Sequence, residues 1–324
     1  MAEKATIFQT TQIGVEATAG TPVAANKKMG AVDIALQPQN ESDVIRPQGL
    51  KYATGVAQNR EYTNLNISGK PAFQDLAYLL SSLLHYTAPV KQAATTAYKW
   101  TFGSNVSAED VGKTFTVEQG DTTNAWRVAG AKVSGLTLTF NNNNGVGISG
   151  SGVAKALEEG VTKTAGATLL NTTPISQTMV EISMADTQAG LAGATKYCRG
   201  FNLEYSLTDK FGLVFPIGCD PFTVEKAPTN TAKITVATDV NGRALIGKLR
   251  DGSTKWFRIK ATGPVIESTY NHSLIIDFPA KIAAIGDASD MDGLFVMEFG
   301  LQPVFDQTWG KAMNIELITD LSAL

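Results

Sequence analysis

The chain has 324 residues, of which 43% are apolar and 18% charged, with a formal net charge of −3. That length suffices for two ordinary domains, and the weakly acidic balance supplies no basic field with which to wrap or read nucleic acid. Two cysteines and two histidines are too few for a disulfide framework or a Cys/His zinc site, and the low charge leaves a surface of Ser, Thr, Asn and Gln that suits a β-rich protein with large buried contacts.

The opening "MAEKATIFQTTQIGV" has no apolar stretch of signal-peptide length, and the longest apolar run, around Leu76 to Leu84, is too short to span a bilayer. A soluble product of the cytoplasm without a membrane anchor is expected. Helical spacing first occurs in "FQDLAYLLSSLLHY", where Phe73, Leu76, Leu80, Leu83 and Leu84 share one face behind Pro71. "GLTLTF" (Gly135 to Phe140) alternates with period two, as a half-buried strand does.

The stretch after it, "NNNNGVGISGSG", carries Gly145, Gly147 and Gly150 at the spacing of a dinucleotide-binding turn. Such a turn needs an apolar strand running into the first glycine and a helix starting at the last. Four asparagines precede Gly145 instead, so a hairpin tip and its return strand are expected. "SGVAKALEEG" is a short helix candidate closed by Gly160, and the Thr/Gly/Ala-rich region from Glu158 to Ala194 is the natural domain boundary.

Beyond the boundary, "GFNLEY" (Gly200 to Tyr205), "AKITV" (Ala232 to Val236), "KWFRIK" (Lys255 to Lys260), "SLIIDF" (Ser273 to Phe278), "LFVMEF" (Leu294 to Phe299) and "MNIELI" (Met313 to Ile318) alternate as strands. A helix of about two turns through Ala244, Leu245, Lys248 and Leu249, ended by Gly252, interrupts them. "GDASDMDG" (Gly286 to Gly293) groups Asp287, Asp290 and Asp292, but Ala288 and Phe299 stand where an EF-hand loop needs oxygen ligands. It is expected to be an acidic turn.

The chain also resembles itself. Slid along itself until Val133 meets Cys198, "VSGLTLTFNNNNGVGISGSG" lies over "CRGFNLEYSLTDKFGLVFPIG", each read as strand, polar turn and returning strand. Slid further, until Leu65 meets Ile234, "LNISGKPAFQDLAYLL" lies over "ITVATDVNGRALIGKL", a strand and helix in both. One mainly β fold used twice accounts for both matches. The expected division is an N-terminal arm (1–30), a first β domain (31–160), a linker or exchange segment (161–194) and a second β domain (195–324). A regular hairpin about Thr208 and Asp209 would set Cys198 and Cys219 nearly opposite each other, although two small buried residues are the favoured reading in a reducing compartment.

No enzyme is expected. His85 and His272 lie in unlike contexts, and Glu158 and Glu159 are neighbours on what reads as a solvated face. Trp100, Trp126, Trp256 and Trp309 are scattered one per segment and read as anchors of cores or subunit contacts.

Together, "IGVEATAGTPVAANKKMGAVDIALQPQ", "ISGKPAFQDLAYLLSSLL", "KTFTVEQGD" and "DASDMDGLFVMEFGLQPVFDQTWGKAMNIELITD" resemble the major tail tube proteins of long, flexible-tailed bacteriophages over most of the chain. The "VEATAGTPVAA" arm and the "DMDG" turn with its following strand carry most of the likeness. The resemblance implies a β-sandwich or partial barrel with a flanking short helix, subunits that join their sheets into rings, and rings that stack in the virion into the conduit for DNA ejection. It implies tape-measure, tail-tip and tail-terminator proteins as partners, DNA that passes without specific binding, and no cofactor or metal. A duplicated fold would make the ring a trimer with pseudo-sixfold symmetry, favoured over a hexamer of single tube folds.

An acidic or neutral lumen would let phosphates slide. The candidates to line it are Glu204 and Asp209, with Asn141, Asn142, Asn143 and Asn144 as neutral counterparts. The arm from Thr10 to Lys27, with Thr10, Ile13, Val15, Pro22 and Val23, is expected to order on docking to a neighbour. The competing expectation is a β-rich tail component that binds a receptor or carbohydrate.

Overall fold

The computed structural model describes residues 10–122, 124–142 and 144–324. In chain order the elements are β1 (Thr10–Val15), β2 (Lys27–Lys28), β3 (Val32–Ile45), β4 (Gly55–Gly69), α1 (Phe73–Leu83), β5 (Val90–Lys91), β6 (Tyr98–Phe102), β7 (Phe115–Gly120), β8 (Ala125–Asn141), β9 (Gly145–Ala154) and β10 (Glu158–Val161). There follow β11 (Thr168–Leu169), β12 (Val180–Ala185), β13 (Gly200–Thr208), β14 (Phe211–Val214), β15 (Phe222–Glu225), β16 (Thr229–Ala237), α2 (Val240–Asp251), β17 (Lys255–Glu267), β18 (Tyr270–Met291), β19 (Leu294–Pro303) and β20 (Asn314–Thr319). The protein is mainly β, and every segment expected to be a strand is one.

The strands form a sandwich. One layer is an eight-stranded antiparallel sheet in the order β3-β4-β9-β8-β13-β16-β19-β18. The other consists of two smaller sheets, β11-β2-β1-β7-β8-β10 and β12-β17-β18-β20-β6-β5. β8 and β18 belong to both layers. The first half of each pairs in the small sheet and the second half in the large one.

β8 crosses between layers at Gly130, whose φ of 65° suits glycine, and the Gly130 N–H donates to the Glu16 carboxylate at 2.8 Å. Glu16, 3% exposed, also accepts from Thr114 Oγ1, Thr116 Oγ1 and the Gly20 N–H. Its buried charge is thereby matched by four donors, as a buried carboxylate requires.

The same order of pairings occurs twice. β3–β4, β4–β9, β9–β8, β1–β7, β7–β8 and β8–β10 recur as β13–β16, β16–β19, β19–β18, β12–β17, β17–β18 and β18–β20. α1 follows β4 as α2 follows β16. The self-match that sets Leu65 on Ile234 lies on this correspondence.

The self-match that sets Val133 on Cys198 does not. It overlays β8 on β13, which are neighbours in one sheet, and the supposed return strand, β14, pairs with β15 in a separate two-stranded sheet. With no β13–β14 hairpin, Cys198 and Cys219 are not held opposite each other; both are free and exposed, not buried. The expected boundaries also cut the pairing sets, because β1 lies within 1–30 and β12 within 161–194.

α1 is buried on all sides, and Asp75 in its first turn accepts from the Ala31 N–H at 2.8 Å. It stops at Leu83, short of Tyr86. α2 is capped by Asp239, whose carboxylate accepts from the Gly242 N–H at 2.8 Å, and ends at Gly252 in the left-handed conformation, as the glycine signal foretold. "SGVAKALEEG" is not helical; its residues end β9 and begin β10, because β9 is gripped between β4 and β8. Backbone pairing on both sides outweighs the local helix preference of Ala, Lys, Leu and Glu.

One hydrophobic cluster runs from Ile13 to Leu317 through both sets and includes α1. Leu76, fully buried, lies in it. Leu76→Ala is expected to cost about 2–5 kcal/mol in denaturant titration, with one cooperative transition for the whole chain; separate melting of two halves would contradict a shared core.

Candidate functional site

The large sheet has one face in the core and one face that is open except towards the end near Asp209, where β14 and the residues after it lie over β8 and β9. Leu36, Leu65, Ile67, Leu138, Leu203 and Ile234 point to the core, and the alternate residues form the open face. The register carries rows of small polar groups across it. Ser68 lies opposite Ser149, Ser149 opposite Thr137, Thr137 opposite Ser206, and Ser206 opposite Thr231. The charges on the face include Asp33, Glu41, Glu204 and Glu298 against Arg60, Lys233 and Lys281; Glu204 sits directly across from Lys233, and Glu41 across from Arg60. Such a face offers phosphate neither a cationic row nor a strong repulsive field.

The candidate residues fall in different places on it. Glu204, half-buried on β13, lies on the open face opposite Thr139. Asn141 and Asn142 are at the β8–β9 tip at one end of the sheet, where the Asn142 N–H donates to Asn202 Oδ1 at 3.2 Å. Asn144 is exposed and accepts from Lys70 Nζ through its carbonyl; Asn143 lies outside the described residues.

Asp209 is not on a second long hairpin. It is an exposed turn residue with φ 59° after β13, at the opposite end of the sheet from the asparagines. There it borders a groove of about 540 Å³ with Gln37, Glu41, Arg60, Phe211 and Lys226. The glycine stretch is the return strand β9; of the expected acidic turn only Asp292 and Gly293 turn, with positive φ between β18 and β19, whereas Asp287 and Asp290 lie within β18, whose pairing with β19 runs on to Met291.

The arm residues are built into their own chain. Thr10 to Val15 pair residue for residue with β7, Ile13 is 1% exposed, and the Val23 N–H donates to Thr116 Oγ1 at 3.0 Å. Thr10 and Pro22 are exposed and Val15 half-buried. Within the chain, β7 and the Glu16 carboxylate supply the segment with partners.

Sequence reasoning missed a buried charge cluster at the junction of the two strand sets. Lys210, just past β13, is fully buried and ion-pairs with Asp110, with Glu225 at 3.6 Å. The Lys210 N–H also donates to the Ser134 carbonyl on β8. Lys132 on β8, 4% exposed, sets its ammonium 4.5 Å from the Phe211 ring centre. Burial pushes the Lys132 pKa down to about 8; the nearby Lys210 charge adds to this, while Glu225 and Asp110 oppose it. No composition or spacing signal marks these lysines, since isolated Lys residues are ordinarily solvated.

The tryptophans are partly drawn together. Trp256 and Trp309 meet edge to face at 5.1 Å beside a groove of about 600 Å³, while Trp100 is fully buried and Trp126 is 47% exposed. Among the described residues no cluster of His, Cys, Asp or Glu is arranged to hold a metal ion, and no helix is long and apolar enough to cross a membrane. No protein-family model and no curated protein matches the sequence.

Two outcomes test the junction. Lys210→Met leaves Asp110 buried without its cation and is expected to cost about 3–5 kcal/mol, measured by denaturant titration. The Lys132 pKa lies below its ordinary 10.5, so folding penalises the charged form fully below pH 8 and less as the pH rises. Stability contributed at this site is therefore expected to rise between pH 8 and 10.5, and Lys132→Met to flatten that rise in melts taken across the range.

Proposed function

We propose that the protein is the structural subunit of a hollow phage tail tube, in which copies join their large sheets edge to edge into rings and the rings stack. One observation carries this reading: an eight-stranded sheet whose polar face bears few, mixed charges ends in two strands, β3 and the second half of β18, whose outer edges are unpaired among the described residues, and the chain itself already joins two four-stranded sets edge to edge at β8–β13. An open edge is a hazard that joining removes. Read as one fold used twice, three chains supply six similar units, a trimer with pseudo-sixfold symmetry.

The open face would line the lumen. DNA would slide past hydroxyls, amides and a few scattered charges without being held, and no catalytic step or cofactor enters. The protein would belong to the virion after assembly in the host cytoplasm. Its partners would be itself and, by the resemblance, the tape-measure, tail-tip and terminator proteins.

The Trp256–Trp309 pair beside an open groove is the one observation that favours a carbohydrate-binding tail component. Trp256 is only 5% exposed, which leaves Trp309 alone as a stacking platform and makes this the weaker reading.

Electron microscopy of the purified chain at several concentrations, with and without a tail-tip nucleus, separates the two. Hollow rings or tubes with three-fold symmetry and six outer lobes are expected. Dispersed monomers that bind glycans would overturn the tube. In assembled tubes, Glu204→Lys with Glu298→Lys should make the lumen retain double-stranded DNA in a salt-sensitive manner that the natural chain lacks, as read by DNA co-sedimentation.

A further inference from the structure

The large sheet has two ends. Among the described residues β3 pairs only with β4, and the second half of β18 only with β19. In the repeated order of pairings β18 takes the place of β8, and β3 that of β13. β8 and β13 are themselves paired in the middle of the sheet. The chain therefore contains one worked instance of the contact that its two ends lack.

The register of that contact transfers residue by residue. Leu36 lies opposite Leu65 as Leu203 lies opposite Ile234, so Gln37 takes the place of Glu204 and Gln39 that of Ser206. Leu65 and Ile234 lie opposite Gly152 and Phe299. These in turn face Val133 and Ile285, so Ser289 takes the place of Thr137 and Met291 that of Thr139. Both β8 and β18 carry a register shift just after Val133 and Ile285, which keeps the correspondence intact.

We propose that a second copy of the chain docks head to tail, with Gln37–Asn40 of one copy pairing antiparallel with Ala288–Met291 of the next, so that Gln39 faces Ser289 and Gln37 faces Met291. The proposal deepens the ring reading given above and rests on it. At the internal joint the hydroxyls of Thr137 and Ser206 hydrogen-bond at 2.8 Å; between copies an amide and a hydroxyl stand in their places.

The second joint is the weaker of the two by construction. Pro38 has no N–H to give, and Asp290 puts a charge on the opposing edge; both discourage casual pairing of a free edge. The Leu36 N–H is meanwhile held by Gln119 Oε1 at 3.3 Å. At the internal joint Gly135 lies so close to Thr208 that a Cβ would stand 3.1 Å from the Thr208 Cα. The corresponding places hold Asp287 and Glu41, two carboxylates that end the ladder beyond Asn40. Arg60, already paired with Glu41 at 2.5 Å, is placed to reach both.

Cysteine cross-linking tests the register. In a C198S/C219S background, Q39C with S289C is expected to give covalent oligomers on mild oxidation of assembled protein. The out-of-register pair Q39C with A284C should link at least about tenfold less, because a disulfide tolerates little displacement of the two Cβ atoms. A bridge within one chain is barred, since the two edges stand roughly 34 Å apart across eight strands at ordinary strand spacing. In the natural chain, hydrogen exchange should slow at residues 37–40 and 288–291 on assembly.

Rings seen by microscopy that neither link at Q39C/S289C nor protect those amides would overturn this joint while leaving the ring standing. A protein that forms no ring, with a tail-tip nucleus present, would overturn both.

Discussion

The backbone ladder between β8 and β13 is the contact on which the rest of the molecule depends. Six residues of each strand, Leu136–Asn141 and Asn202–Leu207, pair across it, and without it the large sheet would fall into two four-stranded pieces with four raw edges instead of two. Side chains reinforce the ladder at one end. The Lys210–Asp110 pair and Glu225 sit immediately beyond β13 and tie the β14–β15 excursion to the loop before β7. A buried ion pair is weak evidence for net stability, but the penalty for breaking one is large. Its place at the end of the ladder makes opening the junction from that end costly.

Two long strands turn this sheet into a sandwich. β8 and β18 each run through both layers, so the core is enclosed by strands that cannot separate without breaking their own continuity. Gly130 permits the crossing in β8, and Glu16 fixes it by accepting the Gly130 N–H. The same carboxylate anchors the chain entering from β1, which is why a Gly/Thr/Ala-rich segment of weak local propensity becomes ordered. Hydrogen-bonded burial at one residue replaces the hydrophobic pattern that the segment lacks.

Much of the architecture was legible because period-two alternation is a direct image of a half-buried strand, and Phe73–Leu83 was as plain, since its apolar residues recur on one helical face. The Asp239 cap and the Gly252 stop bound α2 in the same local way. The self-match of Leu65 with Ile234 marked equivalent elements because a strand followed directly by a helix is a specific order. The self-match of Val133 with Cys198 misled for a physical reason: β8 and β13 lie side by side, share a core face and an open face, and so bear similar alternation without occupying equivalent places. Glu204 was legible as a face residue from that alternation. Asp209 was not, since only the excursion of β14 away from β13 places it at the sheet end, next to the buried Lys210.

The open face and the open edges constrain each other. A monomer could tolerate a polar face indefinitely, but the edges remain pairing sites, and Pro38 and Asp290 blunt them without closing them. Conversely, joined edges leave a continuous polar wall whose inner side is whichever face the sheet curves around. The large sheet's other face is already committed to the core, so a ring closed through these edges has only the Ser/Thr/Asn face left to enclose or to display. On the proposed reading that face is enclosed, and its sparse, mixed charge follows from function: a lumen must present phosphate with nothing to bind over its whole length, whereas a recognition surface would concentrate its contacts in one place.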